Sequence, residues 1–237
     1  MTSFITYLKE RFNIFVWGAL AFFMLMFSKN EISFNKTDGF TYLFLLFFFL
    51  ITRLYDDLLN TNADRGKPNR SYTEEKHSKT LTFFLIGISA VYILALFFYD
   101  SNLANLALIF LVGNHLLYIV LYKIWKFKHF LPLLKYPLIF IALNGQFSIV
   151  AISLFLTFVV YEIMDDADFP IAKPYACILT IAAFALLLEN LPIKHFILFI
   201  LLAIASFATV IINKKYFPYI FLLLYLFSRL ISLIHEI

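Results

Sequence analysis

The feature that most restricts this chain is a succession of apolar stretches, each close to the length of a lipid bilayer, parted by very short polar breaks. A spanning helix needs about 20 mostly apolar residues. Nine segments approach that length, at about 12–28, 38–58, 80–99, 102–122, 129–144, 147–164, 171–188, 194–213 and 216–235. The breaks are turn residues, among them Ser28-Lys29-Asn30, Asp100-Ser101-Asn102, Asn144-Gly145-Gln146 and Asn213-Lys214-Lys215, where a backbone leaves the hydrocarbon. Of the 237 residues 62% are hydrophobic and only 14% charged, far from the balance of a water-soluble domain. The expected fold is an all-α integral membrane protein, a bundle of about nine transmembrane helices in one domain over 1–237. The lone Cys177 excludes a disulfide framework and any cysteine-built metal site.

The few charges then orient the bundle. With the N-terminus on the cytoplasmic side, the inner loops collect 13 of the 19 basic residues, including Lys9, Arg11, Arg65, Lys67, Arg70, Lys126 and Lys128. The outer loops hold Lys29, Lys36 and Lys194, while Arg53, Lys135 and Arg229 fall within helices. This asymmetry obeys the positive-inside rule and places the chain in the cell (inner) membrane as a multi-pass protein. It explains the basic loops without a nucleic-acid partner. The first segment lacks a small-residue cleavage site and reads as a retained helix.

Two acidic clusters end the second and sixth segments, four spans apart and therefore on the same cytoplasmic side. The first contains Asp56, Asp57, Asn60 and Asp64. If the helix continues, Asp57, Asn60 and Asp64 share one face at i, i+3 and i+7. Such hard oxygen donors suit Mg²⁺, which takes one or two carboxylates and bridges to phosphates. The second cluster contains Tyr161, Glu162, Asp165, Asp166 and Asp168. Carboxylates crowded on one side of a membrane repel each other without a cation. Basic groups stand ready to meet phosphate in the one long connection, at Arg70, and in the 4–5 loop, at Lys126.

On these residues the chain resembles the UbiA superfamily of intramembrane aromatic prenyltransferases. The family's Asn-Asp-x-x-Asp-x-x-x-Asp falls on Asp56, Asp57, Asn60 and Asp64, and its Pro-x-Arg-Pro on Pro68-Asn69-Arg70-Ser71. The second motif, Tyr-x-x-x-Asp-x-x-Asp-Asp, falls on Tyr161, Asp165, Asp168 and Phe169, and Tyr-x-x-x-Lys on Tyr122 and Lys126. The resemblance implies Mg²⁺-dependent transfer of a prenyl group from an isoprenyl diphosphate to an aromatic or other lipid-pathway acceptor. It implies metal ligation by Asp56, Asp57, Asn60, Asp64, Asp165 and Asp168. Of these, Asp57, Asp64, Asp165 and Asp168 would act in catalysis. Diphosphate would meet Arg53, Arg70, Tyr122, Lys126 and Tyr161. No oligomeric state is implied. Two positions depart from the pattern, Asn60 and Phe169, while Asp56, Glu162 and Asp166 add acids beside them.

Two other readings stay open at this level. A non-catalytic lipid-binding membrane protein, or an ion-coupled transporter, would use the same acids as an ion or proton site. Arg53, one turn before Asp57, either holds the first acidic segment or touches phosphate. Lys135 either snorkels to the inner surface or points toward an anionic acceptor.

Overall fold

The computed structural model describes residues 2–28, 35–121, 128–145, 147–165, 171, 174–187 and the single positions 200 and 204. Among the described residues the chain is all-α, with no strand. The expected segments at 194–213 and 216–235 lie outside the described residues, apart from positions 200 and 204. Contacts divide the chain into two compact units, one of residues 1–25 with 33–113 and the other of 26–32 with 114–237.

In the first unit α1 (Thr2–Arg11), absent from the expected spans, precedes α2 (Ile14–Phe27). Helix α3 (Lys36–Leu59) begins at a reciprocal cap. The Asn35 side chain accepts from the Asp38 amide at 3.0 Å, and the Asp38 carboxylate accepts from the Asn35 amide at 2.6 Å. A short α4 (Thr61–Asp64) and a 3-10 turn (Ser71–Thr73) lead to α5 (Glu75–Tyr99). Helix α6 (Ser101–Leu121) starts in this unit.

Helices α3 and α5 meet through aromatic rings. Phe44 lies between Tyr92 and Tyr99, with centroids 6.2 and 5.0 Å away, and the Tyr99 and Thr41 hydroxyls are 3.2 Å apart. Leu45, Phe48, Phe49 and Leu54 of α3 are buried. At Gly18 on α2 a methyl group would come within 2.9 Å of the Tyr42 hydroxyl of α3.

By length and composition one helix among the described residues qualifies as a membrane span, α5. At 25 residues it is about 37 Å long against about 30 Å of hydrocarbon. Phe83 and Phe98 on it are 77% and 92% exposed. Shorter apolar helices among the described residues run over Ile14–Met26, His129–Asn144 and Ile149–Met164.

The second unit shows why the segment expected at 129–144 is not one regular helix. Residues Lys128–Leu134 form 3-10 turns around Pro132, and α7 runs only from Lys135 to Asn144. Proline has no amide hydrogen to donate and crowds the preceding turn. Gly145, at φ 69°, ends α7 in the left-handed conformation that glycine adopts without strain. Helices α8 (Ile149–Asp165) and α9 (Tyr175–Leu187) pack together. Buried Ser153 donates to the Ala183 carbonyl at 2.6 Å across that contact.

Candidate functional site

The first acidic segment is not one continuous helical face. Helix α3 stops at Asn60, whose backbone and side-chain N–H groups both donate to the Asp56 carbonyl, at 3.1 and 2.9 Å. The side chain thus completes the last turn of its own helix. Thr61 Oγ1 donates to the Leu58 carbonyl at 2.7 Å, and α4 restarts for a single turn to Asp64. Gly66 and Asn69, at φ 85° and 57°, bend the connection, both being residues that tolerate positive φ.

This bend draws two carboxylates into a nest of cations and phenols. Asp57 is buried at 4% exposure. Arg11 grips it bidentately, Nη2 donating to Oδ1 at 2.7 Å and Nε to Oδ2 at 3.0 Å. The Tyr7 hydroxyl also donates to Oδ2, at 3.0 Å, and Arg53, one turn earlier on α3, stands 3.3 Å from Oδ1. Asp64 accepts from Lys67 Nζ at 2.8 Å and from the Tyr72 hydroxyl. Arg70 Nε lies 3.7 Å from Asp64 Oδ2, buried and without a hydrogen bond among the described residues.

The two carboxylates are joined through α1 and Tyr72. The Arg11 guanidinium lies 5.7 Å from the centre of the Tyr72 ring, and the Tyr7 ring meets Tyr72 edge-on at 6.1 Å. The neighbouring Glu10 carboxylate accepts from Ser71 N and Oγ, at 3.0 and 2.7 Å. An open cavity of about 680 Å³ lies beside Glu10 and Ser71, lined by Arg65, Lys67 and Arg70 together with Glu74 and Glu75.

The electrostatics follow from this packing. Burial drives up the pKa of the Tyr7 hydroxyl, and the Asp57 charge adds to it. Burial likewise raises that of Tyr72, reinforced by the Asp57 charge and by its hydrogen bond to Asp64. For Asp64, burial pushes upward, but hydrogen bonds from Lys67 and Tyr72 and the nearby Lys67 and Arg11 charges outweigh it. The carboxyl lies below its ordinary value.

Of the site residues expected from the sequence, the structure brings together Arg53, Asp57, Asp64 and Arg70. Asp56 and Asn60 stand at the same helix end, both half-buried. Tyr161 is half-buried on α8, and Asp165 is the last residue of that helix. Tyr122, Lys126 and Asp168 lie outside the described residues. Lys135 does not reach the surface. It is buried at 4% exposure, with Nζ 5.4 Å from the Tyr136 ring centre, and that ring stacks on Phe158 at 3.5 Å.

Sequence reasoning missed Tyr7, Glu10, Arg11 and Tyr72. The signal in the chain was a charged, phenol-bearing stretch just before the first apolar run, explained there by topology alone.

Mg²⁺, implied by the resemblance, needs oxygen ligands clear of competing cations. Both oxygens of Asp57 face Arg11, and both of Asp64 are taken by Lys67 and Tyr72. No group of three or more His, Cys, Asp or Glu side chains converges among the described residues. As arranged, Asp57 and Asp64 do not fit a divalent ion. The charges of both are met from within the chain.

A scan of family models, a search of curated proteins and a search of solved structures each found no match to this chain.

Proposed function

We propose that this chain is a multi-pass prenyltransferase of the cell (inner) membrane. On this reading about nine helices span the bilayer, with the N-terminus and both acidic segments cytoplasmic. It moves a prenyl group from an isoprenyl diphosphate to an aromatic or other lipid-pathway acceptor among membrane lipids. One observation carries the reading: Lys67 and Arg70 line an open cavity and approach Asp64, while Arg53 stands on Asp57 at the end of α3. A diphosphate bound there would leave its tail to the apolar helices.

The chemistry asks the protein for three things. Heterolysis of the allylic C–O bond sends the electron pair to the departing diphosphate, so positive groups must stabilise the growing charge. Arg70 and Lys67 border the cavity, and both approach Asp64. They are the groups best able to do this. The allylic cation must then be kept from water, which an apolar, Phe-rich surround does. Finally the acceptor forms the new bond to the allylic carbon and releases its proton to water. The Mg²⁺ expected from the resemblance rests, on this reading, with the second segment, Asp165 and Asp168.

A second reading, a lipid-binding membrane protein without turnover, is favoured by the closure of Asp57 under two guanidinium groups. One experiment separates the two. The purified full chain is incubated in native lipid extract with MgCl₂ and prenyl diphosphates of several lengths, and products are identified by mass spectrometry. A prenylated acceptor is expected, with Arg70→Ala reducing the rate at least tenfold. Donor bound and recovered intact at every chain length would favour the second reading.

A further inference from the structure

The mismatch between the first acidic segment and a divalent ion has a specific cause. We propose that Arg11 is the resident cation of this segment: its guanidinium stands on Asp57 in place of a metal ion and fastens α1 over the end of α3. The inference rests on the resemblance behind the proposed function only in taking Asp57 as the segment's metal-ligand position.

The geometry is that of a closed ion site. Arg11 supplies two parallel donors to the two oxygens of one buried carboxylate, the strongest form of such a pair. Tyr7 and Arg53 take up further acceptor capacity on the same group. A divalent ion brought to Asp57 would lie within a few ångströms of two guanidinium groups, in a site little screened by water. Arg11 and the metal therefore exclude each other.

The clasp has a second anchor beside the first. Glu10, adjacent to Arg11, binds Ser71 through two hydrogen bonds, and Phe4 stacks on Phe84 of α5 at 3.8 Å. Helix α1 is tied on one side to Asp57 and on the other to the connection that carries Arg70. Arg11 also lies over the ring of Tyr72, whose hydroxyl holds Asp64. One side chain therefore couples both carboxylates of the segment.

The test uses the full chain in lipid-supplemented detergent, with Mn²⁺ as probe. Mn²⁺ binding is read by electron paramagnetic resonance, and protection of residues 2–11 by amide hydrogen exchange. Wild type should show no Mn²⁺ site that Asp57→Asn removes, and α1 should stay protected with or without Mn²⁺. Arg11→Ala should gain a Mn²⁺ site that is absent from Arg11→Ala combined with Asp57→Asn. Exchange in residues 2–11 should rise at least tenfold while α5 keeps its protection. Arg11→Gln, which retains length and hydrogen bonding, carries the same expectation if the alanine variant does not fold. The inference is overturned if neither variant gains Mn²⁺ binding, or if wild type already binds Mn²⁺ through Asp57. Neither readout involves prenyl transfer, so an inactive protein would count against the proposed function and leave this inference standing.

Discussion

Two buried polar contacts, one in each unit, are held by different means. In the first, Asp57 is an ionised group taken out of water, held by Arg11 and Tyr7, 46 and 50 residues away in the chain. In the second, the α8–α9 contact buries neutral hydroxyls. Ser153 donates across to Ala183, while Thr157 and Thr180 donate back along their own helices to Ser153 and Ala176. A buried hydroxyl satisfied by the carbonyl one turn earlier needs nothing from elsewhere in the fold. A buried carboxylate needs an opposite charge, and here the charge comes from a different helix. Polarity at the α8–α9 contact is largely a local matter, whereas around Asp57 it makes one helix depend on another.

That contrast sets the order of expected effects. Removing one partner of a buried pair strands the other, at about 3–5 kcal/mol in general. Because Arg53 and Tyr7 remain on Asp57, Arg11→Ala should cost about 3 kcal/mol, read as a lower melting temperature of the full chain in detergent. A loss under about 1 kcal/mol would mean that Arg53 alone suffices for Asp57.

The neutral contact should be weaker. Ser153→Ala deletes one hydrogen bond and leaves the Ala183 carbonyl without it, for about 1 kcal/mol. A loss as large as that of Arg11→Ala would erase the distinction between the two contacts.

The smallest expected effect is one of pH. The Asp64 carboxyl is depressed in the folded chain, so its contribution is fully present above the ordinary carboxylate value of about 3.9. It is lost as pH falls through the lower folded value. Tyr72→Phe removes one of the hydrogen bonds that depress it. Acid release of the 64–75 connection, followed by amide exchange, should then begin at a higher pH than in wild type. An unchanged acid profile would assign the depression to Lys67 and Arg11 instead.

Much of the helical framework was legible in the residues. Apolar runs at 12–28, 38–58, 102–122 and 147–164 correspond to α2, α3, α6 and α8 within a few positions, because long apolar stretches bounded by turn residues leave the backbone few alternatives. Pro132 defeated the same reasoning, since hydropathy does not register a missing amide hydrogen. Within the candidate site, the gathering of Arg53, Asp57, Asp64 and Arg70 followed from their closeness in the chain. Their partners did not. Arg11 was visible only as one of several basic residues near a membrane face, and Tyr7 and Glu10 carried no motif.

The sequence by itself determined an all-α chain with its few charges gathered at helix ends, because apolar residues and backbone groups each have a narrow set of favourable environments. Only the tertiary structure decided which cation answers Asp57. Charge pairing depends on distance in space, and the contact between residues 11 and 57 exists only once α1 has docked against the end of α3.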